Sequence, residues 1–186
     1  KKMREGKEQE LLELARRSVE EAFHNGDSFP DDFSGGDERV SGVFVTLMRN
    51  GKLRGCKGCV EGNFPLAETV WRVARSSAFE DPRFSSLTET ELEGLEFSIS
   101  ILGPMERVRV TDPKEFRNQL RLGIDGVCVR VDDTSALFLP EVTTEQGWDV
   151  ETTLSRLCLK AGLNEDAWLS SQAEVHRFQT REFSTP

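Results

Sequence analysis

The chain predicts a mixed fold in which helices accompany largely antiparallel strands, and three observations carry that prediction. Asn50-Gly51, set between two strand-like runs, is the strongest two-residue signal for a type I′ hairpin. Asp132-Asp133-Thr134 separates Gly126–Val131 from residues 136–139 in the same manner and predicts a second hairpin. Leu11, Leu12, Leu14, Ala15, Val19, Ala22 and Phe23 fall on one stripe at helical spacing, with Glu10, Glu13, Arg16, Arg17 and Glu20 around it.

That stripe is an opening amphipathic helix, with His24 at its C-terminal end, where a cation meets the helix dipole favourably. Residues 25–40, rich in Gly, Asp, Ser and Pro, read as a long loop. Gly42–Arg49 is a strand, and its return begins at Lys52. A two-residue loop pairs Arg49 with Lys52, Leu47 with Arg54 and Val45 with Cys56, so these side chains are expected on one face. Pro65 opens a helix whose apolar set is Leu66, Val70, Trp71, Ala74 and Ala78, with Thr69 and Arg72 outside it. Pro82 pushes Asp81 out of helical geometry, so Phe79-Glu80-Asp81-Pro82-Arg83-Phe84 reads as a turn clamped by two aromatics. Leu95–Leu102 alternates as a half-buried strand ended by Gly103-Pro104. Asp112-Pro113 starts a short helix through Phe116 and Leu120, and Trp148-Asp149 starts another through Leu154, Leu157 and Cys158, stopped by Gly162. Residues 174–183 read as one last strand-like segment carrying His176 and Phe178.

Composition narrows the function. The 186 residues fit one domain or one core with a smaller appended lobe, and no apolar run approaches membrane-spanning length. Lys1-Lys2-Met3-Arg4 leads into a polar stretch rather than a signal-peptide core, so a soluble cytoplasmic protein with no membrane role is expected. Four unevenly spaced cysteines are expected to be reduced thiols. A net charge of −9 argues against nucleic acid as the main ligand, while leaving room for a local basic cleft built from Arg54, Lys57 and Arg83.

The chemistry is expected at Leu53-Arg54-Gly55-Cys56-Lys57-Gly58-Cys59. A guanidinium two residues from a thiol needs an anion and favours the thiolate, and Gly55 and Gly58 permit close approach of a backbone or ligand. A core cysteine with a structural Arg–carboxylate pair explains the same residues. Cys56-x-x-Cys59 lacks a second ligand pair, since Cys128, Cys158, His24 and His176 are isolated, so neither a metal nor a cofactor is expected. As an enzyme, the chain would use Cys56 as nucleophile, Arg54 as thiolate stabiliser or anion clamp, and Glu145 or Asp81 as acid or base. As a non-catalytic binding or adaptor module, it would use Phe79, Phe84 and Trp148 as anchors and Arg54 and Arg83 as hooks for a small anionic ligand or a protein partner.

Four ordered motifs resemble the AMMECR family: Leu53-Arg54-Gly55-Cys56-x-Gly58; Ala78-Phe79-x-Asp81-Pro82-Arg83-Phe84; Leu139-Pro140-x-Val142 followed by Glu145-x-Gly147-Trp148-Asp149; and Lys160-Ala161-Gly162-Leu163. The resemblance implies a single AMMECR-type domain over residues 1–186. It implies an α+β fold, a largely antiparallel sheet with flanking helices and two unequal lobes around a cleft that displays the Arg-Gly-Cys segment. It also implies a pathway shared with Memo-type proteins and radical S-adenosylmethionine enzymes, beside which such proteins are often encoded. Lys57, Cys59 and Glu141 depart from the usual aliphatic, hydroxyl and Gln residues of the pattern. The Cys59 departure weakens a Cys-x-x-Cys pair as the family's working part.

Overall fold

The computed structural model describes residues 2–24, 26–33 and 37–186, so residues 25 and 34–36 of the expected loop lie outside the described residues. In chain order the elements are α1 (Lys2–Ala22), β1 (Arg39–Val40), β2 (Gly42–Arg49), β3 (Lys52–Cys59), β4 (Phe64–Pro65), α2 (Leu66–Phe79) and β5 (Leu95–Leu102). There follow β6 (Glu106–Val108), α3 (Phe116–Gln119), β7 (Gly126–Val131), β8 (Thr134–Phe138), α4 (Pro140–Gln146), α5 (Val150–Lys160), β9 (Glu174–Phe178) and β10 (Thr180–Ser184). The fold is thus mixed α+β, with antiparallel sheets and five α-helices among the described residues. No described helix is long and apolar enough to cross a membrane.

The chain divides into two compact units, one comprising residues up to Leu102 with Arg181–Pro186, the other Gly103–Thr180. The first unit is built on a sheet of order β10-β5-β2-β3. Alternation buries Val43, Val45 and Leu47 of β2 with Leu95, Phe97 and Ile99 of β5, in one core with the apolar stripes of α1 and α2. Ser18 is wholly buried on α1 and satisfied, its hydroxyl donating to the Trp71 carbonyl at 2.6 Å. Thr69 is buried rather than outside the stripe, because its hydroxyl donates back to the Pro65 carbonyl at 2.5 Å and so needs no water.

The first hairpin turns at Asn50 and Gly51, with φ of 53° and 71°, as a type I′ turn demands. Its register departs from expectation after two pairs. Arg49 faces Lys52 and Met48 faces Leu53, but Leu47 faces Gly55, which leaves Arg54 as the extra residue of a β-bulge. Cys56 therefore lies opposite Thr46, not Val45, and its thiol is on the face opposite the one that buries Val45 and Leu47. Helix α2 approaches β3 closely beside the bulge. A Cβ on Gly55 would sit 2.1 Å from the Ser77 carbonyl oxygen, so only glycine fits there. The Ser77 hydroxyl enters the ladder itself, accepting from the Lys57 N–H at 2.9 Å and donating to the Val45 carbonyl at 2.7 Å.

The second unit has a sheet of order β6-β9-β7-β8, with Val127, Val129 and Val175 buried in one core with Leu154, Leu157 and Trp168. Asp112 caps the short helical turn before α3 by accepting from the Lys114 N–H at 2.9 Å, and Asp149 caps α5 by accepting from Thr152 at 2.8 Å. Gly162 follows α5 at φ 78°, the left-handed position expected of it. Thr134 belongs to β8 rather than the turn. Residues 174–183 are two strands, not one: β9 lies in the second sheet and β10 in the first, with Gln179 between them.

Candidate functional site

Asp81 organises the outer edge of β3. It starts a turn in which the Phe84 N–H reaches the Asp81 carbonyl at 3.1 Å, with Pro82 at the position that favours its fixed φ. The carboxylate, only 3% exposed, accepts the Arg83 backbone N–H at 3.1 Å, Arg83 Nε at 3.1 Å and Arg83 Nη2 at 2.8 Å. It also accepts the Cys56 backbone N–H at 2.9 Å, which would otherwise be unpaired at the sheet edge. The Arg83 hydrogen bonds, foremost, hold the Asp81 carboxyl well below the usual range; burial opposes them, and the Cys56 N–H adds to them. The turn is therefore held by a carboxylate rather than clamped by Phe79 and Phe84. Phe79 packs edge to face on Phe23, and Phe84 lies 5.5 Å beneath the Arg83 guanidinium.

Cys56 and Arg83 are brought together by this one acid. The thiol sulfur is 3.2 Å from the Thr46 hydroxyl, and Arg83 Nη2 approaches the Cys56 carbonyl at 3.5 Å. Arg83 is raised above the ordinary arginine value chiefly by its bonds to Asp81, with Cys56 acting in the same direction. Its side chain is 56% exposed, so a solvent-facing cation stands beside the Cys56 backbone.

Arg54 is engaged elsewhere. Its Nε and Nη2 donate to the two Glu91 oxygens at 2.8 and 3.1 Å, a bidentate pair with 13% and 21% of the side chains exposed. Glu91 also accepts the Thr88 N–H and hydroxyl, closing a capping box. Arg54, first, and then Thr88 pull the Glu91 carboxyl down to about 2. Cys59 faces Val43, so the two thiols of Cys56-x-x-Cys59 lie on opposite faces of β3. Gly58 lies under the Phe44 ring.

Glu145, Trp148 and His176 belong to the second unit. Glu145 is exposed on α4, a helix that the sequence reading did not assign although Pro140 at its first position and Gly147 at φ 65° after it mark both ends. Trp148 packs on Phe138 with ring centroids 5.5 Å apart and carries the Arg156 guanidinium 5.7 Å above it. His176 is on β9, its Nε2 3.7 Å from Glu174. Asp125, wholly buried, was not anticipated: burial works against its ionisation, yet Arg121 at 2.8 and 2.9 Å and Gln179 at 2.6 Å hold its carboxyl below the usual value. Thr46, Ser77 and Glu91 were also missed. Of these only Glu91 carried a signal, the Thr88-x-x-Glu91 capping box.

The AMMECR1 family profile matches residues 12–183. A protein of Thermofilum pendens is 39% identical over 93% of this chain and 87% of its own, and one of Methanothermobacter thermautotrophicus 37% identical over 93% and 91%. The crystal structure of the uncharacterized protein PH0010 from Pyrococcus horikoshii superposes with a TM-score of 0.80 at 36% identity, covering 94% of this chain and 89% of that one. A profile that spans nearly the whole chain, relatives matched over almost their full length and a shared fold lead to one conclusion: this chain belongs to the AMMECR1 family.

Proposed function

We propose that the first unit is a non-catalytic binding module for a small anionic ligand, held beside Cys56 by Arg83. The observation that carries the reading is the Asp81 carboxylate, which bonds the Cys56 backbone and the Arg83 guanidinium through the same oxygen, Oδ2. Arg83 keeps an exposed edge near the Cys56 carbonyl, and the Cys56 thiol lies 3.2 Å from the Thr46 hydroxyl. The groups that catalysis by Cys56 would need in this unit are committed. Asp81 is a saturated acceptor held ionised, a poor base, and Arg54 is neutralised by Glu91.

Paired alkylation kinetics test this. The thiolate attacks both iodoacetate and iodoacetamide, displacing iodide, so the thiolate fraction cancels in the ratio of their rates at Cys56 and the charge preference remains. We expect Arg83→Gln to lower that ratio about fivefold at low salt, on the order of 1 kcal/mol of screened attraction. Arg54→Met removes a guanidinium whose side chain is only 13% exposed, and should leave it unchanged. A ratio indifferent to Arg83→Gln overturns the anion site.

A further inference from the structure

A cavity of about 690 Å³ opens in the first unit between the end of α1 and α2, within the size of small-molecule sites, about 300–1,000 Å³. Its apolar wall is Phe23 and Phe79, edge to face at 5.4 Å, with the buried Leu87. The rest of the lining is more polar. Arg75 stacks 4.9 Å over Trp71, donates from Nε to Ser18 at 3.1 Å and from Nη1 to Asp27 at 2.6 Å. Among the described residues, Arg75 Nη2 and the Trp71 indole Nε1 are buried donors with no partner. Such donors carry a desolvation cost that nothing offsets.

The counterion of Arg75 is unequal to its task. The Arg75 side chain is 12% exposed, whereas that of Asp27 is 99% exposed and reaches a single guanidinium nitrogen. An ion pair with a fully hydrated acid holds weakly, and a shielded guanidinium favours an anion that is itself shielded from water. Arg72 and Glu80 also line the cavity and contribute one charge of each sign, so Arg75 and Asp27 decide its preference.

We propose that this cavity is a second binding site that takes a small amphipathic carboxylate, its apolar or aromatic body against Phe23, Phe79 and Leu87 and its carboxylate on the Arg75 guanidinium at the Nη1 edge. Asp27 is then an internal competitor, occupying part of the position that the ligand's carboxylate takes. The site is distinct from the Arg83 edge and does not depend on it.

The probe is 4-phenylbutyrate, compared with its neutral amide and titrated into the full chain while the Trp71 indole N–H resonance is followed. Trp71→Phe assigns that resonance by its loss. The acid should shift it saturably, with a Kd at least about fivefold below that of the amide, and Asp27→Asn should tighten the acid about threefold without changing the amide. Asp27 is solvent-exposed, so that variant leaves the core intact. Arg83→Gln should bind the acid as the parent chain does. The proposal is overturned if no saturable shift occurs, if acid and amide bind alike, if Asp27→Asn leaves the acid's Kd unchanged, or if Arg83→Gln abolishes binding.

Discussion

Asp81 and Glu91 divide the two arginines of the β3 region between them, and that division sets what each arginine can do. Arg54, nearly enclosed and held at Nε and Nη2 by Glu91, is a structural cation; Arg83, held by Asp81 but more than half exposed, keeps a solvent-facing edge. Both acids ionise more readily in the folded chain than in an unfolded one, so each contributes stability above its ordinary value and loses it as pH falls towards the folded value. For Glu91 that window runs from its ordinary value of 4.5 down to about 2. Glu91→Gln should therefore lower stability at neutral pH by about 1–3 kcal/mol, because it leaves the Arg54 guanidinium short of an acceptor. The loss on acidification should be shallower in the variant, with the two chains converging near pH 2. Urea midpoints measured at steps from pH 6 to 2 check this, and parallel curves would show that the ion pair contributes nothing.

At the scale of elements, the hairpin was legible because Asn50-Gly51 is a local signal, and its register was not because the bulge is made by residues distant in sequence. Gly55 passes the Ser77 carbonyl and Arg54 reaches Glu91, which lie 22 and 37 positions onward, and no periodicity within β3 encodes either contact. The Asp81-Pro82 turn was readable for the same reason that its bond to Cys56 was not: one is local chemistry, the other joins two elements. The boundary between β9 and β10 was hidden because strand patterning continues across Gln179 while the chain changes sheets. If the bulge is imposed by α2, the two glycines of the motif should differ in tolerance. Gly55→Ala drives a Cβ into fixed backbone and should cost about 3 kcal/mol or more. The atoms nearest a Cβ on Gly58 belong to the half-buried Phe44 ring, at 2.4 Å, a side chain that can shift where backbone cannot, so Gly58→Ala should cost less, about 1–2 kcal/mol. Equal losses in thermal or urea unfolding would count against a helix-imposed bulge.

For the molecule as a whole, the chain leaves its first unit after Leu102, builds the second, and returns at Arg181 to finish the first. The returning segment is tied to residues far back in sequence. Arg181 bonds Glu38 at 3.2 Å, Glu182 accepts from Ser98 at 3.3 Å, and the Thr185 N–H donates to the Phe97 carbonyl at 2.9 Å while its hydroxyl accepts from the Phe97 N–H at 3.1 Å. These bonds cover the edge of β5 that β2 leaves open, next to the buried side chains of Leu95, Phe97 and Ile99. The first unit therefore depends on both ends of the chain, whereas the second is one continuous stretch with its own core. Deleting residues 181–186 should loosen the first unit selectively. Amides of β5 and β2 are expected to exchange with deuterium about tenfold faster or more, equivalent to about 1.4 kcal/mol of lost local stability. Those of β7 and β9 should keep the protection they have in the full chain. Equal loss of protection in both units would mean that they unfold as one cooperative body, and no change in β5 would mean that its outer edge needs no cover.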